Sequence, residues 1–242
     1  MNCLLSTAMA FFVLTAVQTY GQTVYSGTVG KAAVEFVIDD CDFYPDSTRR
    51  QVEAVYLYIR YNDPIVLNGL YDQKKLTFDE NGTGKIVFPD FDQKKDTLNG
   101  TWTNLSIKKK SRILLLKKYD FNRYDTTERD WQRELLQRES LNNYFFNIIV
   151  NNYNDVTGIR VLEKKTGVLF QKIDRLDCSY LKMRSILVED ANGDGVVDFQ
   201  IYEGGQRILQ DDGQTSVWVD TWLTFLFDPM LSRFVESGIE QK

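Results

Sequence analysis

The chain contains no histidine. That absence removes every Ser-His-Asp or Cys-His nucleophile scheme and every His-ligated zinc or iron site. Proline is scarce, four in 242 residues, which excludes a Pro-rich linker or tract. Beyond the N-terminal segment, no apolar run is long enough to cross a bilayer as a helix. Basic residues are outnumbered, 29 Lys and Arg against 34 Asp and Glu, and the net charge of −5 disfavours non-specific nucleic-acid binding. Aromatics are plentiful. They make up 13% of the chain, with thirteen Tyr and fifteen Phe, a composition that leans toward β structure. Any enzymatic chemistry would have to rest on carboxylates, Lys, Tyr or a metal held by oxygen.

Residues 1–22 carry no Asp, Glu, Lys or Arg. Within them, Leu4 to Val17 is apolar, the length of a signal-peptide core and too short to span a bilayer. Thr19 and Gly21 are small residues placed for a cut at Gln22. Residues 1–22 are therefore expected to be a signal peptide, and the protein to be periplasmic or secreted. Cys3 lies in that leader, which leaves Cys41 and Cys178. Export permits a disulfide between them. Such a bridge would close a loop spanning most of the chain, for which chain entropy gives an upper figure of about 5 kcal/mol. Two unpaired thiols are the alternative, and spacing does not choose between them.

The fold class expected is mainly β, built from antiparallel β modules, sandwich or propeller-like, with one short helix near 126–139. Residues 23–120 read as an N-terminal module of hairpins and 121–242 as a C-terminal module. Val55, Leu57 and Ile59 alternate with Tyr56, Tyr58 and Arg60, a period of two. Asn81-Gly82 and Asn99-Gly100 each read as a hairpin turn between apolar strands. Asp125, Thr126 or Thr127 could cap a helix in which Trp131 and Leu135, four apart, share a buried face. Strands resume at Phe145 to Val150. A hairpin around Lys165-Thr166-Gly167 follows, then strands at Ile186 to Val188, Phe199 to Ile201 and Trp222 to Phe227. Lys108-Lys109-Lys110 reads as a solvated turn.

One segment carries a recognisable chemistry. Residues 190–198 read Asp-Ala-Asn-Gly-Asp-Gly-Val-Val-Asp. Oxygen side chains fall at positions one, three, five and nine of this loop, at Asp190, Asn192, Asp194 and Asp198. Gly195 stands where a calcium loop turns sharply, and Val196 stands where a backbone carbonyl would ligate. Three aspartates this close repel one another without a cation, which argues for a bound one. The expected cofactor is calcium, with Asp190, Asn192, Asp194, Val196 and Asp198 as its ligands. Position twelve is Ile201 rather than Glu and the flanks read as strands, so the loop is not an EF-hand. It is similar to the integrin-type, FG-GAP-like calcium hairpins, Asp-x-Asn-x-Asp-Gly-x-x-Asp.

With that loop in hand, the second half resembles the bacterial periplasmic lysozyme-inhibitor-like proteins, some of which are immunity proteins against peptidoglycan-cleaving toxins. Four pieces carry the resemblance. They are Ile159-Arg160-Val161 with Thr166-Gly167 and Gln171, then Ile186 to Asp190 leading into the calcium loop, then Trp222 to Phe227 with Asp228, and lastly Phe234. The first half is similar to the β module that often precedes this region, through Tyr56, Tyr58, Ile65 to Gly69, Leu76 to Glu80 and Gly100-Thr101-Trp102. Gly193 and Val196 depart from the family, which often has aromatics there. The resemblance implies a β fold, a structural calcium ion, no catalysis, and a protein partner of the lysozyme-like hydrolase class met through a presented loop.

The leading expectation is therefore a non-enzymatic, calcium-stabilised binding protein of the envelope that inhibits a lysozyme-like hydrolase. Its acidic charge would steer it toward a basic partner. The alternative is a calcium-dependent adhesion or assembly module, with Tyr56, Tyr58 and Tyr61 as a contact patch if they face solvent. A glycosidase would need two acids in one cleft. The candidates Glu189, Glu203 and Asp39-Asp40-Asp42 read better as solvated or ligand-supporting residues.

Overall fold

The structure, a computed structural model of the chain, describes residues 22–39, 49–121, 132–209 and 216–237. It is antiparallel β throughout the described residues. Residues 1–21 of the expected 1–22 leader, and Asp40, Cys41, Asp42 and Trp131, lie outside them.

Eight strands form the first body. They are β1 (Thr23–Val29), β2 (Ala32–Asp39), β3 (Arg49–Tyr58), β4 (Ile65–Asp72), β5 (Lys75–Glu80), β6 (Gly84–Phe88), β7 (Thr97–Asn104) and β8 (Lys110–Asp120). Each pairs with the next, and β1 closes the ring against β8, giving an up-and-down barrel. A barrel of eight strands is just wide enough for side chains to fill it. Here Phe36 sits in the filling. Its ring stacks on Tyr56 at 5.2 Å and meets Phe78 and Phe88 at 6.0 and 6.2 Å. Closure also removes the sheet edges that an open meander would expose.

The second body is a pair of four-stranded sheets. One holds β9 (Gln132–Ser140), β10 (Tyr144–Asn151), β11 (Asp155–Glu163) and β12 (Leu169–Ser179) in the order β12-β11-β10-β9. The other holds β13 (Ile186–Glu189), β14 (Asp198–Leu209), β15 (Ser216–Asp228) and β16 (Arg233–Glu236) in sequence order. The two share one core, in which Phe199 stacks on Phe225 at 5.0 Å and meets Phe146 and Phe234 at 4.8 and 5.0 Å.

Val24, Val37, Val55 and Leu57, on the outer face of the barrel, are buried in that same core. Strands β1 to β3 are thus covered on both faces where the barrel seats on the sandwich. Ion pairs brace the seam. Lys182 lies 2.9 Å from the buried Asp39, and Glu53 receives both Arg138, at 3.5 Å, and Arg184.

Three expectations need correction. The helix expected near 126–139 is not found among the described residues. Its described part, residues 132–139, belongs to β9, because Leu135, Leu136 and Gln137 are all buried beside β10 and tertiary pairing overrides local helix preference. Asn99-Gly100 is no turn but mid-strand in β7, opposite Leu114 and Ile113. The glycine is there for room. A Cβ at Gly100 would come within 2.6 Å of the Phe88 ring. Tyr56 is no contact residue, for it is fully buried inside the barrel, leaving Tyr58 half-buried and Tyr61 exposed.

Candidate functional site

The acidic loop lies where β13 hands over to β14. Ile186 to Glu189 pair with Ile201 to Asp198, so the loop begins one residue past a paired strand and ends on the first residue of the next. Its shape follows from its side chains. Asp190 Oδ1 accepts the N–H groups of Gly193 (2.8 Å) and Asp194 (3.1 Å), and its Oδ2 accepts that of Gly195 (2.9 Å). Asn192 Oδ1 takes the Asp194 N–H at 2.9 Å while its Nδ2 donates to Asp194 Oδ2 at 2.8 Å. Asp194 Oδ1 accepts from Val196 N–H at 2.7 Å. Gly193 and Gly195 take φ values of +75° and +85°, which other L-residues resist, and this lets the chain wrap around Asp190.

Asp198 differs from the others. It is 1% exposed. Its Oδ1 accepts the Phe227 N–H at 3.1 Å, and its Oδ2 is buried with no hydrogen-bond partner. Burial pushes its carboxyl above the usual range. The Phe227 amide opposes this, the negative charge of Asp194 adds to it, the Ala191 amide opposes it and Asp190 adds to it. A buried carboxylate oxygen without a partner, under the negative charge of two more carboxylates, suits a cation better than it suits water. Asp190 Oδ2 and Asp194 Oδ1 each accept a single amide and keep a second lone pair for an ion, whereas Asp190 Oδ1 already accepts two. Among the described residues, however, no three acidic or thiol side chains already converge as a metal cluster. The loop is held by its own amide bonds, and ligation would draw its oxygens inward.

Beyond the loop, β14 and β15 leave the sandwich. Strand β13 pairs with β14 only as far as Ile201, and β16 pairs with β15 only from Phe225. From Gly204 to Leu209 and from Ser216 to Thr221 the two strands pair with each other alone. They form a two-stranded arm whose described residues outward of Gly205 are exposed. One of its faces carries Ile208, Val217 and Val219. The other carries Trp218, 58% exposed, whose indole covers Gly205 and donates to Asp220 Oδ1 at 2.9 Å. Tyr202 Oη donates to the same oxygen at 3.2 Å. The sequence reading missed this arm. Its alternation was visible in Val217 and Val219, but its exposure depends on where β13 and β16 stop.

Among the described residues, the groups considered for hydrolysis do not assemble. Glu189 is exposed at the end of β13 and Glu203 is exposed on β14. Asp39 is paired with Lys182 on the far side of the seam. A cavity of about 1090 Å³ runs along β3 to β5 and is also lined by Lys182 and Arg184. The acids Asp39 and Glu53 on its wall are ion-paired. Among the described residues, no helix is long and apolar enough to cross a membrane.

Comparison with protein-family models, with curated proteins and with solved structures finds no match to this chain.

Proposed function

We propose that this chain is an exported, non-enzymatic binding protein of the bacterial envelope, braced by calcium, that inhibits a lysozyme-like peptidoglycan hydrolase. The observation that carries the reading is Asp198. It closes the acidic loop with a buried, unpartnered oxygen, and it is also the first residue of β14, which runs on without a break into the exposed arm. Calcium held by Asp190, Asn192, Asp194, Asp198 and the Val196 carbonyl would fix the root of that arm. A preordered arm loses little entropy on docking. Trp218 is a residue type that anchors protein interfaces, and it stands 58% exposed. The hydrolase as target class comes from the family resemblance, and the chain's negative charge suits a basic partner.

The test is a cell-wall turbidity assay with the purified protein, alone and with lysozymes of several classes, each with calcium and with chelator. The reading expects protection against one class, lost with chelator and lost in Trp218→Ala. Wall clearing by the protein alone would make it a hydrolase. The second reading, an adhesion or assembly module, rests on the same arm. It is favoured if no lysozyme is inhibited while Trp218→Ala still abolishes calcium-dependent self-association or adhesion.

A further inference from the structure

One end of the barrel is cationic although the chain is acidic. In an up-and-down barrel, alternate turns close the same end. Here they are residues 30–31, 59–64, 81–83 and 105–109. They are bonded together at their roots. Leu105 N–H donates to Thr83 O at 3.0 Å, Gly30 N–H to Arg112 O at 2.7 Å, and Ile59 N–H to Ala33 O at 3.0 Å. A fifth turn, residues 164–168 between β11 and β12, lies against the third-to-fourth strand turn. Lys164 Nζ is 2.7 Å from Asp63, and Asn62 Nδ2 donates to Lys164 O at 3.4 Å.

These five turns hold six basic residues, Lys31, Arg60, Lys108, Lys109, Lys164 and Lys165, and one acid, Asp63, which Lys164 neutralises. The acids at their margins, Asp79, Glu80 and Glu163, keep their charge and are matched in number by Lys85, Lys110 and Arg112 beside the same turns. Glu80 accepts from Tyr56 Oη at 2.8 Å and Trp102 Nε1 at 2.5 Å, Glu163 accepts from Thr166 Oγ1 at 2.8 Å, and Asp79 accepts the Gly82 N–H at 2.7 Å. Between the cations, large apolar side chains stand in water. Ile107 is 69% exposed, Tyr61 65% and Val168 60%, with Ile59 and Leu105 beside them.

Two features choose the occupant. The first is charge segregation. A chain of net charge −5 that carries a cluster of six basic residues at one end presents that end to an anionic surface. The second is shape. The apolar groups sit exposed on turns, so they suit a partner that they can enter. A bilayer interface takes apolar tips into its headgroup boundary while neighbouring lysines meet lipid phosphates. We propose that this end of the barrel docks on a lipid surface rich in anionic headgroups, with Ile107, Tyr61 and Val168 entering the interface and Lys108, Lys109 and Arg60 on the phosphates. The proposal uses no residue of the acidic loop, and it stands or falls without the calcium reading.

The test is vesicle co-sedimentation of the purified protein in chelator, which excludes calcium bridging. Vesicles of phosphatidylcholine with one-third phosphatidylglycerol are compared with phosphatidylcholine alone. Binding is expected to the anionic vesicles only, and to weaken at high salt. Each basic residue near such a surface is worth about fivefold in partitioning, so K108Q/K109Q should lose about 25-fold. Ile107→Ser should weaken binding without changing its salt dependence. These residues are exposed, and unchanged thermal melts would show that the variants fold. Equal binding to neutral vesicles, no binding to either, or binding unaffected by both variants would overturn the proposal. Capture by a soluble polyanion without vesicle binding would overturn it as well.

Discussion

The side-chain amide of Gln171 bonds both backbone groups of Phe234. Its Nε2 donates to the Phe234 carbonyl and its Oε1 accepts the Phe234 N–H, each at 2.8 Å. Gln171 lies on β12 and Phe234 on β16, so one amide joins the two sheets of the sandwich where β16 has no further strand to pair with. Phe234 itself is 3% exposed and meets Phe199, Phe227, Phe170 and Tyr144. Replacing Gln171 with Ala leaves a buried donor and a buried acceptor unsatisfied, at roughly 1–3 kcal/mol each. Gln171→Ala should therefore lower unfolding stability by about 2–4 kcal/mol in a urea titration. Gln171→Glu, which keeps the acceptor and loses the donor, should fall between it and the parent. A loss below about 0.5 kcal/mol would show that the bridge contributes little.

Gly100 and Phe88 make the second prediction. The ring occupies the space a Cβ would need, at 2.6 Å, and Gly69 stands in the same relation to Phe78 at 2.4 Å. Gly100→Ala should destabilise the barrel by about 1–3 kcal/mol through overpacking. Phe88→Leu in the same chain should recover part of that loss. Strict additivity of the two changes would contradict the account.

Those two glycines also show what the sequence could and could not tell. Alternation from Val55 to Arg60 identified β3, which ends at Tyr58, and its two faces. It did not say that both faces are buried, Tyr56 inside the barrel and Val55 and Leu57 against the sandwich. Asn81-Gly82 and Lys165-Thr166-Gly167 do sit at turns, because each supplies residues of positive φ between paired strands. Asn99-Gly100 has the same spelling and a different cause, since an aromatic on the neighbouring strand demanded the glycine. The stretch leading into β9 carries charged residues at helical spacing, and only the pairing with β10 makes Leu135 and Leu136 a strand. The acidic loop was legible because its oxygens are close in sequence. The arm and the cationic barrel end were not, because both are assembled from distant segments.

Cys178 supplies a prediction in pH. It is buried, and burial first, then the charges of Glu203 and Asp177, push its thiol up to about 11. At pH 8 the thiolate is scarce, and the thiolate is the reactive form. In a Cys41→Ser variant, a disulfide reagent at pH 8 should leave Cys178 untouched in the folded protein and modify it promptly in denaturant. Prompt reaction in the folded state would contradict its burial.

Asp198→Asn separates the metal's role from the loop's. The amide keeps an acceptor for the Phe227 N–H and removes the buried unpartnered charge. In chelator the variant should be as stable as the parent or more so. In calcium it should be less stable than the parent, because ligand binding to the native state adds RT ln(1 + [L]/Kd) that the variant forgoes. Thermal melts under both conditions check this. A variant destabilised equally in both would make Asp198 a structural residue without a metal.

Calorimetric titration of calcium into the chelator-stripped protein tests the central claim most directly. One ion per chain is expected, with binding lost in Asp194→Ala and hydrogen exchange slowed along Gly204 to Leu209 once calcium is present. An absence of binding heat at millimolar calcium, with exchange in the arm unchanged, would contradict the calcium-braced arm.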